Sequence, residues 1–242
     1  MPATIYFAIG DVHGEADKLR RLHESILDRI AFEKQPACIV HLGDFVDRGP
    51  DSHGVIEAVL ALEALFTGSE KIRVISLMGN HEQMMLDTYD SSNTSEADGS
   101  WWTQGGSETA DSYAGGQGLA DARWRETIPR AHITWMRRLP LIHQAADQKL
   151  VFVHAGIEPS TFPNESERTY LWTRSERFFN DDNWPDREEL KGITVIHGHT
   201  PRSFEPEIFP HRINVDTGAC FGGPLTAVML KDGEAPQFLQ AR

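Results

Sequence analysis

The chain has 242 residues, 40% of them hydrophobic and 24% charged, and a net charge of −13. That length buries a substantial core in one large α/β domain or two small ones, and the acidic balance excludes a general nucleic-acid binder, whose counterion release needs clustered Lys and Arg. Cys38 and Cys220 alone make no disulfide framework, and no apolar stretch approaches the roughly 20 residues of a membrane span.

Met1-Pro2-Ala3 carries no basic leader and runs straight into a strand, Thr4 to Ile9, so a cytoplasmic protein is expected. The strand stops at Gly10-Asp11-Val12-His13-Gly14. Asp11 and His13 are two apart, so in extended backbone they point to one side, and a carboxylate with an imidazole suits a divalent transition metal better than calcium. Leu19, Leu22, Ile26 and Ile30 then repeat at helical spacing. A second strand, Ala37 to Leu42, delivers Gly43-Asp44-Phe45-Val46-Asp47-Arg48-Gly49. Taken alone, that loop reads equally as a solvated turn with an Asp–Arg ion pair or as a site where a metal and an anion offset crowded charges. Asp51 and Ser52 are capping candidates for a helix marked by Val55, Val59 and Leu62. A third strand, Ile72 to Leu77, ends at Met78-Gly79-Asn80-His81-Glu82.

Each of these apolar runs stops at a glycine followed by Asp, Asn or His. Alternating strands and helices imply parallel neighbours, which gather the three loops along one sheet edge. Asp11, His13, Asp44 and Asn80 are the ligand types of a two-metal hydrolase centre in which one carboxylate bridges both ions.

Beyond the third motif, Ser91 to Gly99 reads as a surface loop. Trp101 and Trp102 beside Gly105 and Gly106 suit either a substrate platform or, the preferred reading, the core of a small helical cap. Ile133, Met136 and Leu139 mark a helix ending at Pro140. Residues from Arg177 to Glu189 are a candidate second rim. Strands follow at Lys149 to Val153, Ile193 to Ile196, Arg212 to Val215 and Leu225 to Leu230. Periodicity alone yields an α/β chain with a strand-rich C-terminal half.

The three motifs resemble the signature triplet of the bacterial branch of PPP-type serine/threonine protein phosphatases, within the calcineurin-like metallophosphoesterases. The resemblance continues through Leu150-Val151-Phe152-Val153-His154-Ala155-Gly156, Ile196-His197-Gly198-His199-Thr200, and Asn214-Val215-Asp216-Thr217-Gly218 with Gly222-Gly223-Pro224-Leu225-Thr226. It implies one domain over 1–242, built as two mixed β-sheets sandwiched between helices, with about 91–140 as a cap over the active site. It implies two divalent metals: Asp11 and His13 on the first, Asp44 bridging, and Asn80, His154 and His199 on the second. Manganese is the first expectation, and iron, zinc or cobalt also suit such donors. The implied reaction is direct attack by a metal-bridging hydroxide, with Arg48 and Arg174 gripping phosphate oxygens. His81 would protonate the leaving group and Asp47 would orient it. The first expectation is hydrolysis of phosphoserine and phosphothreonine monoesters. The alternative is a bis(5'-nucleosyl)-tetraphosphatase with the same dinuclear centre. The partner is thus a phosphoprotein or a phosphorylated small molecule, with neither nucleic acid nor membrane involved. Spacing does not separate His197 from His199; the resemblance selects His199. His41 reads as a hydrogen-bonded core residue, His23, His53, His132, His143 and His211 as surface or capping residues, and Asp216 as equally site-adjacent or structural.

Overall fold

Alternating side chains sort the strands of this computed structural model, which describes residues 3–91, 101–116, 123–145 and 147–242, into two sheets. In β1 (Ile5–Ile9) and β2 (Ala37–His41), Ile5, Phe7, Ile9 and Ile39 face a helical layer, while Tyr6, Ala8, Cys38 and Val40 face the second sheet. β3 (Ile72–Ser76) continues the parallel order, and helices α1 (Ala16–Glu33), α2 (Ser52–Leu65) and α3 (Asn80–Asp90) follow β1, β2 and β3. The apolar stripe of α1 is the expected one, with Leu19, Leu22, Ile26 and Ile30 buried. Asp51 caps α2, its carboxylate accepting from the Gly54 N–H at 2.7 Å.

The second sheet has the order β4-β5-β6-β8-β7, from β4 (Ile142–Ala145), β5 (Leu150–Val153), β6 (Thr194–His197), β7 (Glu207–Ile208) and β8 (Arg212–Asn214). β9 (Leu225–Leu230) then returns to the first sheet antiparallel to β1, and β10 (Gln237–Ala241) closes that edge, giving β10-β9-β1-β2-β3. β4, β7 and β10 were not anticipated. Each is an edge strand, so one side lacks the neighbours that impose a strict apolar pattern.

The sheets stack face to face through Tyr6, Ala8 and Val40 against Phe152, Ile196 and Ile213, with the Tyr6 and Phe152 rings 5.2 Å apart. The outer face of the second sheet, Val151, Val153 and Val195, is covered by Tyr170 of α7 (Glu167–Trp172) and Phe178 of α8 (Glu176–Phe179). The layers therefore run helix, sheet, sheet, helix, as the resemblance implied. Residues 177–189 correct the sequence expectation of a second rim. Phe178 and Trp184 pack beneath this sheet, and no residue of the stretch lines the active-site cavity.

Between α3 and β4, Trp101 is fully buried and packs on Trp124 at 4.6 Å and Trp102 at 4.9 Å. It joins one apolar cluster with Val55 and Val59 of α2, and with the helices α4 (Ser107–Tyr113), α5 (Trp124–Thr127) and α6 (Arg130–Met136). Core, not platform, is thus the role of Trp101. The helix expected to reach Leu139 ends at Met136 and finishes in tight turns, Arg138 N–H to Trp135 at 2.9 Å and Leu139 N–H to Met136 at 3.1 Å, because the residue before a proline is pushed out of helical backbone. The loop expected at 91–99 lies, beyond Ser91, outside the described residues. No helix among the described residues is long and apolar enough to cross a membrane.

Candidate active site

Parallel strands put the loops after β1, β2 and β3 at one end of the first sheet, and those after β5 and β6 reach the same place from the second. Two glycine contacts let the loops touch. A side chain at Gly49 would strike the His13 carbonyl at 2.0 Å, and one at Gly43, whose φ is 98°, would strike the Gly79 nitrogen at 2.5 Å. His13 (φ 43°), Asp44 (53°), Asp47 (74°), Arg48 (68°) and His199 (69°) hold left-handed backbone, which costs of order 1–3 kcal/mol each and persists only where surroundings enforce it. Glu82 supplies much of that enforcement. Its buried carboxylate accepts the backbone N–H groups of Asp44 (2.9 Å), Phe45 (2.7 Å), Val46 (3.2 Å) and Gly79 (2.9 Å).

The sequence-predicted donors meet here. Asn80 Oδ1 lies 2.8 Å from His154 Nε2 and 2.9 Å from His199 Nδ1, and the two imidazole nitrogens are 3.2 Å apart. Asp44 Oδ1 is 3.4 Å from His154 Nε2, while its Oδ2 is 3.3 Å from His13 Nε2, so this one carboxylate faces both groups. Asp11 accepts the His199 N–H at 3.0 Å and faces the like charge of Asp216. The tautomers are fixed from behind. His13 Nδ1–H donates to the Val46 carbonyl at 2.8 Å and His154 Nδ1–H to that of Leu42 at 2.9 Å, which leaves each Nε2 lone pair facing inward.

Burial drives the charges apart from their ordinary values. It pushes Asp11 and Asp44 well up, helped by Asp216 and Glu82 respectively, and pushes His13 well down and His154 down to about 3. Buried lone pairs and carboxylates converging without enough protons to share fit a divalent cation on each side of Asp44. The Arg48 guanidinium, 2.8 Å from His13 Nε2, already places positive charge against one of them. These histidine and aspartate clusters suit a dinuclear metal site.

Beside the donors, His81 Nδ1 is 2.6 Å from Asp47 Oδ2, and its Nε2 is 4.0 Å from Asp44 Oδ2. Burial lowers His81 to about 3 and raises Asp47 to about 8, although Thr109 Oγ1–H (2.7 Å) and Trp101 Nε1–H (3.0 Å) donate to the Asp47 carboxylate and favour its charge. A cavity of about 360 Å³ opens above these groups. Arg48 and Arg174 line it, with Gln104, Trp172 and Phe221.

Every site residue expected from the sequence thus lies at this end of the sheets. His197 does not join them. Its ring packs on Phe178 at 5.0 Å, and it belongs to neither donor cluster around Asp44. His41 is the expected core residue, but His23 and His132 are buried and bond other side chains, which corrects their assignment to surface or capping roles. The rings of His23 and His41 share a 2.9 Å hydrogen bond, and His132 bonds Tyr113 Oη at 2.9 Å. Glu82, Thr109 and the Trp101 donor went unassigned. Glu82 was within reach, because an acid three residues after an N-cap position can accept that residue's N–H, as Glu82 does from Gly79 at 2.9 Å. Thr109 had no signal, since the fold alone brings it 62 positions back along the chain.

A calcineurin-like phosphoesterase family matches residues 6–233. Bis(5'-nucleosyl)-tetraphosphatase PrpE [asymmetrical] of Bacillus cereus (strain 03BB102) is 27% identical over 95% of this chain and 92% of its own length. A structure proposed to be a diadenosine tetraphosphatase aligns over 100% of this chain and 99% of its own, with a TM-score of 0.63 at 20% identity. A cold-active protein-tyrosine phosphatase from Shewanella aligns over 100% and 83%, with a TM-score of 0.62 at 18% identity.

Proposed function

We propose that this chain, which belongs to the calcineurin-like phosphoesterase family, hydrolyses dinucleoside tetraphosphates. One structural observation carries the substrate class: two arginines in the cavity are flanked by aromatic surface, Trp172 and the 57% exposed Phe221, whose ring lies 5.5 Å from the Arg48 guanidinium. Guanidinium forks recognise phosphate oxygens and aromatic faces stack on bases. The bacillary relative, named for asymmetrical tetraphosphatase activity, supports the same reading.

In this proposal Asp11 and His13 hold one divalent cation, Asn80, His154 and His199 the other, and Asp44 both. When bound, such a pair activates water and offsets phosphate charge; manganese is the first candidate, and iron, zinc and cobalt suit the same donors. Arg48 and Arg174 clamp the phosphate under attack. Asp47 accepts the His81 Nδ1–H and favours the imidazolium against the burial that lowers it, so that Nε2–H is positioned to pass its proton to the leaving oxygen. Trp101 and Thr109 hold Asp47 in place. The proposed unit is the whole span 1–242, with about 91–140 as the cap segment, which brings Gln104 to the cavity.

The first expectation from the sequence, hydrolysis of phosphoserine and phosphothreonine, rests on the motif triplet and is the second reading. Assay of the manganese-loaded protein on diadenosine tetraphosphate and on a phosphopeptide panel separates them. The proposal expects the larger kcat/KM on the dinucleotide, with unequal nucleotide products; preference for phosphopeptides replaces it with the second reading.

A further inference from the structure

Outside the cavity a second group of metal-type donors assembles from two separate helices. His53 and Glu57 are four apart on α2 and so share a face. His132 arrives from α6. Glu57 Oε1 lies 3.7 Å from His53 Nε2 and 3.0 Å from His132 Nε2, and one donor atom of each residue lies within 4.8 Å of the other two. Donors around a tetrahedral zinc, at bond lengths of about 2.0–2.2 Å, stand roughly 3.3–3.5 Å apart. The cluster is close to that geometry, and the His53 side chain, 43% exposed, has room to swing in.

His132 is oriented for the task. It is buried, and its Nδ1 pairs with Tyr113 Oη of α4 at 2.9 Å, which turns Nε2 toward Glu57. Ligating imidazoles commonly donate their other N–H to such an outer partner. The His53 ring packs on Tyr113 at 4.9 Å, which holds it beside His132, and with the Glu57 side chain 58% exposed the His132–Glu57 bond alone contributes little. Two imidazoles and one carboxylate, with a fourth position open to solvent, are a zinc-type donor set and a poor one for calcium or magnesium.

We propose that His53, Glu57 and His132 form a third metal site, a zinc clip that fastens the helices of the 101–139 segment onto α2. None of the three lines the active-site cavity. The clip nevertheless sits beside groups that hold Asp47. Ser52, the residue before His53, and Thr109, one turn before Tyr113, meet at 3.0 Å and both accept the Asp47 N–H, at 3.1 and 2.8 Å. His53 N–H itself donates to Ser112 Oγ at 3.0 Å. Closing the clip therefore ties together the two elements that support Asp47.

The test counts zinc bound per chain by elemental analysis after gel filtration of the full chain loaded with zinc alone. His53→Ala truncates a half-exposed side chain and Glu57→Gln conserves volume. The expected result is one zinc fewer per chain in each variant, a zinc-induced rise in Tm smaller than in the parent protein, and unchanged hydrolysis of an activated aryl phosphate by the manganese-loaded form. An equal zinc count in parent and variants overturns the clip, whatever the rates do. A failure of the dinuclear reading shows instead as a lower total shared by all three proteins.

Discussion

Two groups of buried histidines flank the end of β2, and they differ in everything except burial. His41, inside the strand, shares a hydrogen bond with His23 of α1, and burial is the main influence on both. Just beyond the strand, His13, His81 and His154 stand among Asp11, Asp44 and Asp47 below an open cavity, with His13, Asp44 and Asp47 on left-handed backbone. Desolvation lowers the imidazole pKa in both places. Chemistry is available only where carboxylates, strain and access accompany it. Burial of a histidine is therefore a poor marker of function, and the company it keeps is a better one.

That contrast breaks most sharply at His81. His81→Ala is expected to lower turnover by roughly 10²–10⁴ on esters with poor leaving groups, and by less on phosphoanhydrides and activated aryl phosphates, because the lost group is a proton donor. Steady-state rates across leaving groups measure this, and an equal loss on all of them contradicts the role. Glu82 tests the strain side. Glu82→Gln leaves at least one of the four backbone N–H groups of the Asp44 and Gly79 loops without an acceptor, with an expected cost of about 3–4 kcal/mol in urea unfolding.

The quieter pair makes the complementary prediction. Burial lowers His23 to about 4, so between pH 6.5 and 4 the unfolded chain takes up a proton that the folded one does not. Its contribution is whole above pH 6.5 and falls away as pH drops toward 4, by about 3 kcal/mol. Replacing His23 and His41 together with Leu should flatten that part of the stability profile and leave hydrolysis unchanged. The smallest effect falls on the support of Asp47. Trp101→Phe keeps the aromatic packing and removes one donor, for which about a tenfold fall in kcat with little change in KM is expected.

The same contrast explains what was legible in the sequence. The first three strands and all three loops could be read because each apolar run ends at a glycine, and loops such as Gly43 to Gly49 concentrate charge where solvation alone gives no reason for it. His154 and His199 were reached through family resemblance, since spacing offered His197 equally. The left-handed φ of His199 aims its ring at Asn80, and a spacing rule for extended backbone does not foresee that. The edge strands β4, β7 and β10 lacked a two-sided pattern. Thr109, His132 and the Trp101 donor depend on how the 101–139 segment folds back on α2, a tertiary fact with no local trace. Substrate choice lay furthest from view, because Trp172, at the end of α7, and Phe221 are far apart in the chain and become neighbours of Arg48 only in the fold.

The central claim, that one carboxylate serves both halves of a dinuclear phosphoesterase centre, is tested most directly at Asp44. Metal content and hydrolysis of diadenosine tetraphosphate are measured side by side for the parent protein and Asp44→Asn. The account predicts that the variant stays folded, loses manganese from both sides of the centre and loses hydrolysis with it. An Asp44→Asn protein that keeps its manganese and its rate would contradict it.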